Sequence, residues 1–376
     1  MRFVASAMLA LLLLAAAARA DTTIAPNAIL VDGTTGTVLL EKNADEPLPP
    51  ASMSKLMTVL MVFERLKAGV LSMDQTFPVS RKAWKMGGSK TFVRVNRRVS
   101  VGDLLRGVIV QSGNDASIVI AEGISGSEEA FSDAMTARAR ELGLVSASFR
   151  NATGWPHPEH VISARDLARL AQILVTEFPE QYAMFAEREF EFNGIKQRNR
   201  NPLLGRVPGA DGLKTGHTNV SGYGLTASAE RDGRRLYLVL NGLQNSRARA
   251  REAERLIEWG FREFAAYPLL KKGEMVETAA VWLGSLDRVP LVPSRDVVLS
   301  LKRQARSGLK ASVRWTGPIV APVAEGQQLA TLRLEAPGIR PVEHPLYAGA
   351  KVERVGFFGR IFERVRAMIF GFDPTA

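Results

Sequence analysis

The spacing of apolar and polar positions along this chain changes several times, and each change marks an element. The stretch "AILVDGTTGTVLLE" alternates on either side of Asp32-Gly33-Thr34-Thr35-Gly36, which predicts two short strands joined as a hairpin. Pro47, Pro49 and Pro50 then break the chain. From Met53 to about Lys67, the residues Met53, Leu56, Met57, Leu60, Met61 and Phe63 recur at helical spacing. Further helices are predicted at 101–110, 114–123, 127–142 and 163–176, with turn-rich loops from Gly154 to Pro158 and around Asn199 to Gly212. "GYGLTASAE" and "RRLYLVLNG" read as a second strand pair, and "RAREAERLIEWGFREF" as a helix ending near residue 264.

Strands at both ends of 21–267 with helices between them predict an α+β domain whose antiparallel sheet joins its two ends. Beyond Tyr267-Pro268 the texture changes. Residues 268–350 consist of short alternating runs such as "VVLSLK" and "QLATLRL", expected to form a small all-β domain of sandwich type. In the last segment, 356–372, Phe358, Ile361, Phe362, Val365, Met368, Ile369 and Phe372 repeat at steps of three and four. Arg360, Glu363, Arg364 and Arg366 take the other face. Such a C-terminal amphipathic helix is expected to lie in a membrane interface, its cations on lipid phosphate.

Composition narrows the setting. Arg2, the apolar run Phe3 to Ala18 and the small-x-small Ala18-Arg19-Ala20 read as a signal peptide over residues 1–20. That run of sixteen residues is shorter than the roughly 20 that a spanning helix needs. The formal net charge of +11 becomes about +9 once Arg2 and Arg19 are removed (11 − 2). Basicity of this size in an exported protein points to an anionic polymer or lipid, and not to nucleic acid. There is no cysteine, so neither a disulfide framework nor a thiolate metal site is expected. Export without disulfides fits a bacterial periplasm or cell surface. The four histidines, His157, His160, His217 and His344, lack metal-binding spacing, and no metal or cofactor is expected.

The candidate chemistry begins in "PPASMSKLMT". Ser52 and Lys55 are three residues apart, so on a helix they project from one face. Serine is a poor nucleophile without a base beside it. A lysine serves as that base only if burial or another cation lowers its pKa toward neutrality. Ser54 has no such partner, because Met57 and Thr58 stand where its lysine would be. The pattern alone is weak: Ser307-Gly308-Leu309-Lys310 repeats it in the β-rich tail, and Ser52 could equally be a helix cap. Two further stretches strengthen it. Ser112-Gly113-Asn114 falls at a helix junction, and Lys214-Thr215-Gly216 leads into the second strand pair. A hydroxyl, an amide and a second lysine can complete an acyl-transfer site. Lys214 would help depress Lys55 and attract a substrate carboxylate, and Gly216 would let a substrate backbone approach the strand edge.

In this order the three motifs match the signature of the penicillin-recognising serine acyltransferases, S-x-x-K, S-D-N and K-T-G, with S-G-N in the middle place here. Together with "KTGHT", "NGIKQRNRN", "SARD" and "REAE", the chain resembles the serine D-alanyl-D-alanine carboxypeptidases of the peptidase S11 family, low-molecular-mass penicillin-binding proteins, over about residues 25 to 270. The resemblance implies a penicillin-binding, β-lactamase-like catalytic domain. Ser52 would attack the D-alanyl-D-alanine bond of a peptidoglycan stem peptide, Lys55 would take its proton, and Ser112 would relay a proton to the leaving D-alanine. The N–H groups of Ser52 and His217 would form the oxyanion hole. Asn114 and Gly216 would line the substrate site, while Lys214 and Thr215 hold the terminal carboxylate with Arg200 or Arg251. β-Lactams would be covalent inhibitors, and the enzyme would sit on the outer face of the cytoplasmic membrane through residues 356–372. The competing readings are a serine β-lactamase, for which Glu159 would have to activate water, a D,D-endopeptidase or transpeptidase, and a non-catalytic peptidoglycan-binding protein.

Overall fold

The computed structural model describes residues 22–356, so the expected leader and all of the terminal amphipathic segment beyond Gly356 lie outside the described residues. The predicted hairpin is present as β1 (Asn27–Asp32) and β2 (Val38–Lys42). Near the end of the first unit come β3 (Ala210–Thr218), β4 (Gly222–Arg231) and β5 (Arg234–Leu243). These five strands form one antiparallel sheet in the order β2-β1-β5-β4-β3. Ile29 of β1 pairs with Val239 of β5, so the sheet closes residues more than 200 apart in sequence. The strand carrying K-T-G is left as a free edge.

Helices fill the sequence between. They are α1 (Lys55–Lys67), α2 (Val101–Gln111), α3 (Asn114–Ser125), α4 (Glu128–Glu141), α5 (Ala164–Glu177) and, after the sheet, α6 (Ser246–Glu263). The side chains of Ser100, Ser127 and Ser163 cap α2, α4 and α5 by accepting from the N–H groups of Asp103, Ala130 and Asp166. Helix α1 differs from the one-faced helix its spacing predicts. Leu56 through Phe63 are all buried, because α1 runs through the core and touches α2, α4 and α5. A helix buried on every side is apolar on every side. Each of its large side chains contributes on the order of 1.5–3 kcal/mol by burial.

The second unit begins at Glu263. Its strands are β6 (Phe264–Leu270), β7 (Glu277–Trp282), β8 (Arg288–Pro293), β9 (Val297–Lys302), β10 (Lys310–Trp315), β11 (Ile319–Val320), β12 (Gln328–Glu335) and β13 (Val342–Ala348). Six of them form a sheet in the order β10-β12-β13-β8-β7-β11, and β6 pairs with β9 as a separate ribbon. Alternate residues of both, such as Leu291, Leu299, Leu332 and Leu346, share one core. Tyr267-Pro268, beyond which the texture of the sequence changes, lies inside β6, where Pro268 faces Val298. Among the described residues no helix is long and apolar enough to cross a membrane.

Candidate active site

Ser52 sits in a single 3₁₀ turn, Ala51–Ser54, that leads into α1. Ala51 holds φ at 49°, a left-handed conformation that costs a non-glycine residue roughly 1–2 kcal/mol. Ser52 caps nothing. The turn is entered from Pro50, and the residue ahead of α1 is Ser54, whose hydroxyl donates to the Ala51 carbonyl at 3.0 Å. The turn lies against the edge strand. A Cβ at Gly216 would fall 2.7 Å from the Pro50 carbonyl oxygen and 3.2 Å from Met53 Cγ. Glycine is therefore demanded first by the chain's own serine turn, which the substrate-approach argument had not foreseen.

Lys55 occupies the first position of α1 and is completely buried. Its ammonium donates to Ser52 Oγ at 2.9 Å, to Asn114 Oδ1 at 2.8 Å and to the carbonyl of Thr153. Burial, and after it the charge of Arg200, pulls its pKa down from 10.5 to about 7, against the opposing pull of Asp115 and Glu128. Arg200 adds to the effect of burial, and the like charges of Lys55 and Lys214 oppose each other's protonation. Lys214 is itself buried and shifted well below the usual lysine range by desolvation, then by Lys55, Arg200 and Arg249. Its Nζ donates to the Thr215 carbonyl at 3.1 Å.

The S-G-N segment joins α2 to α3. Ser112 ends α2 in the left-handed region, at φ 62° and ψ 35°, and is buried. Asn114 opens α3; besides accepting from Lys55, its Nδ2 donates to the Gly87 carbonyl at 2.8 Å. The next residue braces the neighbouring loop. Asp115 accepts from the N–H groups of Thr91, Phe92 and Val93 at 2.8, 2.9 and 3.2 Å. A second organiser is Asn151, whose Oδ1 accepts from the N–H groups of Thr153, Gly154 and Trp155 and so fixes the carbonyl that Lys55 uses. Neither Asp115, Asn151 nor Thr153 was singled out from the sequence. The available signal was turn chemistry, an Asn two residues ahead of a Thr-Gly pair.

Beyond K-T-G, His217 is exposed and stacks on Tyr223 with ring centroids 3.8 Å apart. Arg200 is also exposed, and donates to Ser89 Oγ. The arginine of α6 requires a correction. Arg251 lies on the solvent face of that helix and is not brought to the site. Arg249, two residues earlier and so about 200° around the helix, is 8% exposed. Its guanidinium lies 5.7 Å over the Tyr223 ring, Nη1 reaches the Gly224 carbonyl at 3.4 Å, and Nε has no partner among the described residues. Desolvation lowers its pKa.

The pattern of the D-alanyl-D-alanine carboxypeptidases, peptidase family S11, matches residues 15–245. The chain belongs to this family. The pattern of the C-terminal domain of penicillin-binding protein 5 matches residues 264–354. The chain is 39% identical to the D-alanyl-D-alanine carboxypeptidase DacC of Escherichia coli (strain K12) over 345 residues, 90% of this chain and 86% of that protein. It is similar to the crystal structure of penicillin-binding protein 5 from Haemophilus influenzae, with a TM-score of 0.79 and 33% identity, covering 89% of this chain and 98% of that one. It is also similar to penicillin-binding protein D2 from Listeria monocytogenes in an ampicillin-bound form, with a TM-score of 0.59 and 30% identity over 64% of this chain and 98% of that one.

Within this family member, the β-lactamase alternative finds no support at Glu159. That side chain is 66% exposed and paired with Arg150 at 3.2 Å, on the outside of its loop. A water-activating carboxylate would have to face the acylated serine.

Proposed function

We propose that this protein is a serine D-alanyl-D-alanine carboxypeptidase that trims the terminal D-alanine from peptidoglycan stem peptides and is trapped by β-lactams. The observation that carries the reading is a buried lysine amine, with a pKa near 7, 2.9 Å from the Ser52 hydroxyl. In this scheme neutral Lys55 takes the Ser52 proton as Oγ adds to the carbonyl of the D-alanyl-D-alanine bond. The N–H groups of Ser52 and His217 hold the oxyanion. As the C–N bond breaks, the proton passes by way of Ser112 to the leaving nitrogen, and D-alanine departs. Water then adds to the acyl-enzyme, giving its proton to Lys55, and Ser52 is restored. In a β-lactam the broken C–N bond belongs to a ring, so the leaving group stays tethered.

Lys214 and Thr215 hold the substrate's terminal carboxylate, with Arg200 and Arg249 supplying further positive charge. Asn114 orients Lys55 and lines the cleft beside Gly216. Residues 1–20 act as an export leader, 21–267 as the catalytic domain and 268–350 as an accessory β domain. Residues 356–372 hold the protein to the outer face of the cytoplasmic membrane. The test is D-alanine release from a stem-peptide mimic, with and without penicillin, alongside labelling by a fluorescent penicillin. Release that penicillin blocks, and a label that vanishes in Ser52→Ala, are expected. A label that survives that substitution would overturn the scheme.

A further inference from the structure

Between the short strands Thr76–Pro78 and Arg98–Ser100 the chain makes an excursion, residues 79–97, that is anchored on its inner side. Its base is closed where the Val79 N–H donates to the Arg97 carbonyl at 2.8 Å and the Asn96 N–H to the Val79 carbonyl at 3.2 Å. Val79, Ala83, Thr91 and Val93 are buried, Asp115 accepts from the N–H groups of Thr91, Phe92 and Val93, and Ser80 Oγ donates to Glu122 at 3.0 Å. One stretch of the excursion borders the site. The Gly87 and Ser89 carbonyls both accept from Asn114, which itself accepts from Lys55, and Ser89 Oγ accepts from Arg200.

The outer side carries one sign of charge. Residues 79–97 include six Lys or Arg and no Asp or Glu. Lys82 is neutralised by Glu128 and Glu129 of α4, each at 3.0 Å. Lys90 donates to the Trp84 carbonyl at 2.7 Å, which leaves its charge uncompensated. Arg81, Lys85, Arg94 and Arg97 are exposed, and their side chains make no ion pair or hydrogen bond among the described residues. Trp84 and Phe92 lie in the same excursion, each 44% exposed. Fixed cations on an anchored surface raise the local concentration of anions.

The proposed reaction identifies an anion of matching form. Cutting a D-alanyl-D-alanine bond leaves a carboxylate on the shortened stem, so every free stem of the polymer ends in a negative charge before and after trimming. Sugar rings present C–H faces that exposed aromatic side chains cover, which removes both from water. A stem held at Ser52 brings the rest of its polymer to the border of the cleft, where this excursion lies.

We propose that Arg81, Lys85, Lys90, Arg94 and Arg97 form a docking surface for the carboxylate-bearing peptidoglycan polymer, distinct from the groups that hold the reacting stem. The proposal rests on the carboxypeptidase reading and adds a polymer-binding surface to it.

The experiment measures co-sedimentation of the full chain with purified insoluble peptidoglycan, after acylation by benzylpenicillin so that the cleft is filled. The double variant Lys85→Glu/Arg94→Glu is expected to bind about tenfold more weakly at low salt, the lower end of what electrostatic steering provides. At about 1 M salt, where the Debye length is roughly 3 Å, the difference from wild type should vanish. Lys85→Gln/Arg94→Gln should fall between the two. Lys271→Glu/Lys272→Glu, exposed positions of the second unit, changes the net charge equally and should bind as wild type does. Unaltered binding in the Lys85/Arg94 variants, or an equal fall in the Lys271/Lys272 control, overturns the docking surface. So does a charge-reversal effect seen on phosphatidylglycerol vesicles and not on the polymer. Each of these results leaves the acyl-enzyme reading intact, whereas failure of the wild-type chain to be acylated overturns that reading and the docking surface with it.

Discussion

A base must be neutral to accept a proton, so the pH dependence of acylation should report Lys55 directly. Its pKa of about 7, against 10.5 for a free lysine, is a shift that raises the neutral fraction at pH 7 by roughly three orders of magnitude. The second-order rate of acylation by a fluorescent penicillin should therefore rise about tenfold from pH 6 to pH 8, with a midpoint near 7. Arg200 provides a perturbation of known sign. Removing a like charge favours the ammonium, so Arg200→Gln should move the midpoint upward and slow acylation at pH 7. Because the chain has no cysteine, Lys55→Cys can be aminoethylated in denaturant and refolded, which places a less basic amine at this one position. Its midpoint should move down. A profile that is flat between pH 6 and 9, or a midpoint indifferent to both changes, would refute the lysine-base argument.

Four other outcomes are expected. Between pH 7 and 10.5 the unfolded chain binds a proton that folded Lys55 does not, so wild-type stability should rise with pH relative to Lys55→Met, by up to about 5 kcal/mol, measured by denaturant unfolding. Gly216→Ala, which sets a Cβ 2.7 Å from the Pro50 carbonyl, should cost about 1–3 kcal/mol and slow acylation by displacing the Ser52 turn, read by thermal unfolding and labelling together. Arg249→Gln should raise KM for a stem-peptide mimic by roughly 10- to 100-fold, the scale of a lost charge-assisted hydrogen bond, whereas Arg251→Gln should leave it unchanged. Truncation after Val355 should release the protein from membranes in a salt-stable way with its D-alanine release intact; continued sedimentation with membranes would remove the anchor.

The elements were legible where local rules decide them. Helical spacing and turn residues located α2 to α5 to within a residue or two, and alternation located β1, β4 and β5. Helix α1 was located but its environment was not, since a fully surrounded helix carries no polar face for periodicity to detect. The arginine of α6 was missed for a related reason. Arg247, Arg249 and Arg251 are alike in sequence, and only the rotation of the helix against the sheet turns one of them inward.

The candidate site divides along the same line. Sequence alone brought forward Ser52, Lys55, Ser112 and Lys214 as candidates, because residue type and order are local facts. It also separated Ser52 from Ser54, which has no lysine one turn away. What tertiary structure decided is the chemistry available to them. The Thr153 carbonyl and Asn114 come from segments 98 and 59 residues away to hold the Lys55 amine, and desolvation with Arg200 brings its pKa toward neutrality. Gly216 fits the serine turn only because the sheet's last strand runs beneath it. Spacing in a chain specifies which groups share a helix face; exclusion of water is a property of everything around them, and it exists only once the fold has closed.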